Sequence, residues 1–419
     1  MFTVPKTAGN HPRLFAGVVA AIVLAGAGAA AVFSSAAPSP PRPVRQALPP
    51  RPPVEVVQDL PQLAAAMQAR PRFMGGVLVA KGDTVLFRQV YGPAHVDRGE
   101  PLALDSEFLL ASISKQFTAA AILKLQDDGK LKIGDPVCHW IQPCPAAWAS
   151  LKIHHLLSHT SGIPDLMARP QWGLARVTPV TLDQLTEDSK AYGLQFEPGS
   201  KIRYNNAAFN LAAAIVEKAS GMAFSDYLQT TFFQPLGMTR TGLGDGGETV
   251  MGYANYPSGL AAQTIPNVSV VMGAGALHST LDDMLAWELA LHRGHVLTPY
   301  SYAQMTGDHA PADTPSERGR HRRDWGYGLF ANRLGEQVSP SFEDRQIYHT
   351  GSWAGFRNLI SYQPDHDVTV IVLSNNYHQR DEVFLIVQQA MAEALGRDFP
   401  QALNRNGPAR GSPAPQPAD

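Results

Sequence analysis

The sequence predicts an α+β fold: an antiparallel sheet drawn from both ends of the folded body, flanked by helices, with a mostly helical block between. Three observations carry this. "GGVLVAKGDTVLFRQVYG" (75–92) is two alternating apolar runs around Gly82-Asp83, a hairpin pattern. "RNLISYQPDHDVTVIVLSNN" (357–376) is a second hairpin, turning at Pro364–Asp367. Between them the apolar spacing changes from two to three and four, as in "NAAFNLAAAIVEKASG", where Leu211, Ile215 and Ala219 align. Strands at the ends and helices in the middle make an α+β layout.

In chain order, residues 1–37 come first. Lys6 and Arg13 precede an apolar run, Leu14–Phe33, and a small-residue exit. That is the layout of a secretory signal, and its length also suits an N-terminal membrane anchor. The expectation is export, to a periplasm, free or anchored to the inner membrane. Residues 38–58 are a linker, with eight prolines between 38 and 53. Residues 59–396 are the folded domain, and 397–419 form a polar, proline-containing tail expected to be disordered. The two cysteines, Cys138 and Cys144, lie six apart in "CHWIQPC" and are disulfide candidates in an exported chain.

"FLLASISKQFTAAAILKLQDDG" (108–129) carries the first chemical signal. Phe117, Ala120, Ala121, Leu123 and Leu125 read as a buried helix face ending at Gly129. Ser112 and Lys115 are three apart at its start, so their side chains share a face. A charge at the mouth of an apolar helix costs free energy unless something uses it. Ser112 is a candidate nucleophile and Lys115 its base, provided the site lowers the lysine from its usual value of about 10.4. The alternative is a lysine that snorkels to water.

A second proton acceptor is available in "FEPGSKIRYNNAAFNLAAAIV". Tyr204 and Asn206 precede a long helix, so the phenol can share a proton with Lys115 while the amide fixes it and binds a substrate carbonyl. Tyr253 and Asn255 have the same spacing in a loop-like stretch and are set aside. A third element is "YHTGSWAGFRNLISY", where His349, Thr350 and Gly351 are expected just before a strand. Gly351 permits close backbone approach, and the N–H groups of Ser352 and Ser112 can form an oxyanion hole.

In this order, S-x-x-K, Y-x-N and H-T-G resemble the serine β-lactamase-like family, which includes class C β-lactamases, DD-peptidases and related esterases. "LLSHTSGIPD" (156–165), "PLGM" (235–238) and "GAGALHSTLDDM" (273–284) match too. The resemblance implies the family fold, with the site in a cleft between a helical subdomain and the sheet. It implies Ser112 as acylated nucleophile, Lys115 and Tyr204 as base and acid, and Asn206 and His349-Thr350-Gly351 on the substrate. Class C enzymes resemble this chain but carry Lys at the position of His349, and His is mostly neutral at pH 7. Hydrolysis of an ester or D-amide, of the D-alanyl-D-alanine carboxypeptidase or esterase type, is therefore expected over efficient β-lactam turnover. A true β-lactamase and a non-catalytic scaffold are the alternatives.

Other classes are disfavoured. A net charge of −2 and no long basic run argue against nucleic acid. The expected partner is a small molecule or a peptide stem, with possible membrane association through the N-terminal segment. No cofactor is implied. His154, His155 and His159 lack an H-E-x-x-H pattern and are read as structural rather than metal-binding. "GLGDGG" (242–247) neither follows a clear strand nor opens an apolar helix, so it is not read as a dinucleotide site. Arg318, Arg320, Arg322 and Arg323 are read as a solvated loop that would attract carboxylate-ended substrates if it borders the cleft.

Overall fold

The computed structural model describes residues 55–57, 59–169, 178–244, 249–264, 267–316, 321–353 and 355–403. The N-terminal signal or anchor, most of the linker, the tail beyond 403, Asp245–Gly247 of the glycine-rich stretch, and Arg318 and Arg320 lie outside the described residues. Among the described residues no helix is long and apolar enough to cross a membrane.

Eight strands form the main sheet: β1 (Glu55–Val56), β2 (Gly75–Lys81), β3 (Thr84–Tyr91), β4 (Asp324–Trp325), β5 (Phe330–Leu334), β6 (Asp344–Trp353), β7 (Phe356–Gln363) and β8 (Val368–Ser374). Their order is β1-β3-β2-β8-β7-β6-β5-β4. All neighbours are antiparallel except β1 on β3. The two ends of the chain meet where β2 pairs with β8, Val77 opposite Val372. Both faces of these central strands are covered, so "VTVIVLS" is apolar almost throughout instead of alternating. Val77, Val79, Val370 and Val372 pack under α1 (Pro61–Gln68) and α5 (Arg380–Ala394). Leu78, Ile371 and Leu373 pack on the helical block.

That block holds α2 (Lys115–Asp127), α3 (Asn206–Ser220) and α4 (Leu281–His292). Both α3 and α4 begin on a capping side chain. Asn205 caps α3, its side chain accepting from the Ala208 N–H at 2.8 Å, and the helix closes on Gly221. Thr280 caps α4 through the Asp283 N–H at 3.2 Å. Cys138 and Cys144 are joined in a disulfide.

Two expectations about strands need correction. His349-Thr350-Gly351 is not in a connection leading to β7 but lies inside a strand of its own, β6. The stretch after Arg323, in the segment read as a solvated loop, supplies the edge strand β4 and its neighbour β5. "DWGYGLF" is broken by two glycines, which hid a strand pair too short to show a period.

Candidate active site

Ser112 sits on a tight turn between a short strand, Phe108–Leu109, and α2, within a 3-10 turn spanning Ala111–Ser114. Ala111 has φ 52°. That left-handed conformation costs a residue with a Cβ roughly 1–2 kcal/mol, so neighbours must enforce it. Several do. Ser114 Oγ donates to the Ala111 carbonyl at 2.7 Å and accepts from the Leu277 N–H at 3.1 Å. From the sheet, the Asn358 amide donates to the carbonyls of Leu109 at 2.9 Å and Leu110 at 3.3 Å. Gly351 completes the contact: a Cβ there would lie 2.1 Å from the Leu110 oxygen. The glycine of H-T-G thus lets β6 press against the turn that carries Ser112.

Lys115, the first residue of α2, is fully buried, whereas Ser112 is half-buried and accessible. Lys115 Nζ donates to Ala274 O at 2.7 Å and Asn206 Oδ1 at 2.8 Å, and lies 3.3 Å from Ser112 Oγ. Burial pulls the ammonium down to about 7, although the nearby Asp165 carboxylate works against the shift. In the neutral amine two N–H bonds go to the two shorter acceptors, which leaves the lone pair for the serine hydroxyl. The snorkelling alternative is excluded by this burial.

The Tyr204 side chain is close enough to Ser112 to act on it, and its ring centroid is 4.8 Å from Lys115 Nζ. Burial raises the phenol well above its usual value, more than the nearby Ser112 side chain lowers it, so Tyr204 rests neutral. His349 is buried, with its ring 6.4 Å from that of Tyr204 and stacked on Phe330 at 4.8 Å. Its Nδ1 donates to the Thr350 carbonyl at 2.7 Å, which assigns the tautomer. Burial first, then the Lys115 and Arg323 charges, push it down to about 3. The third motif therefore carries no cation. The structure gathers Ser112, Lys115, Tyr204, Asn206 and His349, with Thr350 and Gly351 on the adjoining strand. Tyr253 is elsewhere, its hydroxyl accepting from the Val96 N–H at 2.7 Å.

Sequence reasoning gave Asp165 and Ala274 no role and His159 only a structural one. Asp165 accepts from the Asn206 N–H at 2.6 Å, fixing the start of α3. His159, with φ 62°, stacks on Tyr204 at 4.5 Å, and its Nδ1 accepts from the Asn205 N–H at 3.1 Å. Both belong to "SHTSGIPD", whose density of turn formers around two polar side chains was the available signal. Ala274 offers only a carbonyl. It reaches Lys115 because Gly273 packs on α3 where a Cβ would meet Phe209 O at 2.2 Å. Among the described residues no group of three His, Cys, Asp or Glu is arranged to hold a metal.

Residues 60–392 match the family model described as Beta-lactamase. The chain belongs to the beta-lactamase family. It is 29% identical over 366 residues to penicillin-binding protein 4* of Bacillus subtilis strain 168, covering 82% of this chain and 77% of that protein. It is 28% identical over 357 residues to a D-aminopeptidase of Gluconobacter oxydans strain 621H, covering 80% of this chain and 62% of the relative. The structure of a penicillin-binding protein from Bacillus halodurans superimposes with a TM-score of 0.65 at 26% identity, covering 80% of this chain and 98% of that one. The chain is a serine hydrolase.

Proposed function

We propose that Ser112 is the acylated nucleophile of an exported hydrolase acting on an ester or D-amide bond. The observation that carries this is the Lys115 amine, buried, held near 7 and aimed at Ser112 Oγ 3.3 Å away. As the substrate carbonyl settles against Ser112, the Oγ–C bond forms and the hydroxyl proton passes to Lys115. The N–H groups of Ser112 and Ser352 take the oxyanion. Collapse breaks the bond to the leaving group, which receives a proton from Tyr204, and Tyr204 regains one from Lys115. Because the phenolate is disfavoured, Tyr204 passes the proton on and Lys115 is the resting base. Water then attacks the acyl ester, its proton is taken up through the same pair, and Ser112 leaves protonated. Asn206 orients Lys115 and meets the substrate.

The neutral His349 supports ester and D-amide substrates over β-lactams, whose carboxylate a cation at that position would anchor. Similarity to a D-aminopeptidase points the same way. The apolar run Leu14–Phe33 and the disulfide support export.

Intact mass after incubation with a fluorophosphonate and, separately, a labelled penicillin tests the reading. A Ser112 adduct with the fluorophosphonate is expected. A lasting penicillin adduct then indicates a peptidase, and none an esterase. Rapid penicillin turnover would overturn the argument from His349, and no adduct with either reagent would overturn the hydrolase assignment of Ser112.

A further inference from the structure

The strongest unexplained feature is a cavity of about 650 Å³ whose lining includes Thr350, the neighbour of His349, but not Ser112. Lys201, Arg322, Arg323, Arg357 and Arg380 line it, against one acid, Asp313. Arg322 is partly neutralised by Asp308. Lys201, Arg357 and Arg380 enter no ion pair among the described residues. The Arg357 Nε donates to the Tyr377 carbonyl at 3.3 Å, and its guanidinium lies over the Tyr377 ring at 4.7 Å. These contacts with Tyr377 prop the guanidinium in place without an ion pair. Arg380 is near enough for the two charges to repel each other, with Asp381 offsetting part of that repulsion. At the other end, the Arg323 guanidinium stacks over Trp325 at 4.4 Å and Phe330 at 4.7 Å. Phe330 in turn stacks on His349 at 4.8 Å, and Thr350 belongs to the lining, so this end of the cavity adjoins the candidate active site.

Like charges held together at a cavity wall cost free energy unless an anion joins them. Resting on the hydrolase reading above, we propose that this cavity is an extension of the substrate cleft that accepts anionic groups, selecting substrates whose phosphate or carboxylate lies several bonds from the reacting carbonyl. Guanidinium forks suit either anion, and the Tyr377 and Trp325 faces hold them in place.

Two matched ester series test this, with the distal group on the acyl chain in one and on the alcohol in the other, ending in phosphate, carboxylate or hydroxyl. In one series kcat/KM for an anionic member should exceed the hydroxyl member roughly tenfold at about 0.01 M salt, and the ratio should collapse near 1 M, where screening reaches only about 3 Å. A preference for phosphate alone or carboxylate alone identifies the source, and either supports the assignment. In R357Q/R380Q the anionic-to-neutral ratio should fall at least several-fold. Calorimetry of tripolyphosphate with S112A reads the cavity without catalysis, and the same double substitution should weaken that binding. Ratios near one in both series together with no tripolyphosphate binding, or ratios and binding unchanged in R357Q/R380Q, would overturn it. Fluorophosphonate labelling of wild-type Ser112 separates the two claims: labelling without anion preference sinks only the cavity, and absent labelling sinks the hydrolase reading.

Discussion

Replacing Lys115 by Met separates what this residue does for chemistry from what it costs the fold. Methionine has similar length and no charge, so the three polar contacts of Nζ are lost but the volume is kept. In the folded protein the amine sits at about 7, and in the unfolded chain at the ordinary lysine value of about 10.4. Below pH 7 both states hold the proton, and folding must bury a charge. Above it only the unfolded chain holds the proton, so stability rises with pH until about 10.4. Wild-type stability minus that of Lys115→Met should therefore climb by about 2 kcal/mol between pH 7 and pH 9, at close to 1.4 kcal/mol per unit once above the folded value. Other titrating groups cancel in the difference. Denaturant unfolding of both proteins at five pH values measures it, with Ser112 labelling by fluorophosphonate as the functional readout. Labelling should vanish in the variant. A difference that stays flat with pH would mean that Lys115 remains charged when folded, and the proposed base would be lost with it.

Four further outcomes are expected. The kcat/KM of the wild type should fall as pH drops through about 7, because the neutral amine is the active form; His349, pushed to about 3, should show no imidazole titration by NMR between pH 5 and 9. Gly351→Ala should destabilise the fold by about 1–3 kcal/mol or more and slow labelling, because its Cβ meets the Leu110 oxygen on rigid backbone; unfolding midpoint and labelling rate check both. Ala111→Gly should raise stability by about 0.5–1 kcal/mol, since relief of roughly 1–2 kcal/mol of left-handed strain exceeds the roughly 0.4–1 kcal/mol of added unfolded-state entropy; the same denaturation experiment reads it.

Fold and site were legible to different depths for a physical reason. Periodicity along the chain reports burial, so the hairpins at 75–92 and 357–376 and helix α3 could be read from their spacing. β4 and β5 gave no such report, being a two-residue and a five-residue strand around a glycine turn. The side chains of the site were legible because proton transfer restricts the residue types: an amine three residues from a hydroxyl, then a phenol and an amide before a helix. The groups that hold them were not. Lys115 is aligned by the carbonyl of Ala274 and the Ser112 turn by the carbonyls of Leu109 and Leu110, and every residue type has a carbonyl. Such contacts leave one trace, the side chain they exclude. Gly351 and Gly273 mark where backbone meets backbone at the nucleophile and at the base. The glycine of H-T-G is thus as much a statement about Ser112 as the serine itself, and Asn358, one position after Arg357 on the next strand, is its side-chain counterpart: it reaches the same two carbonyls from the sheet and ties the turn to β8 through the Ser374 N–H at 3.1 Å.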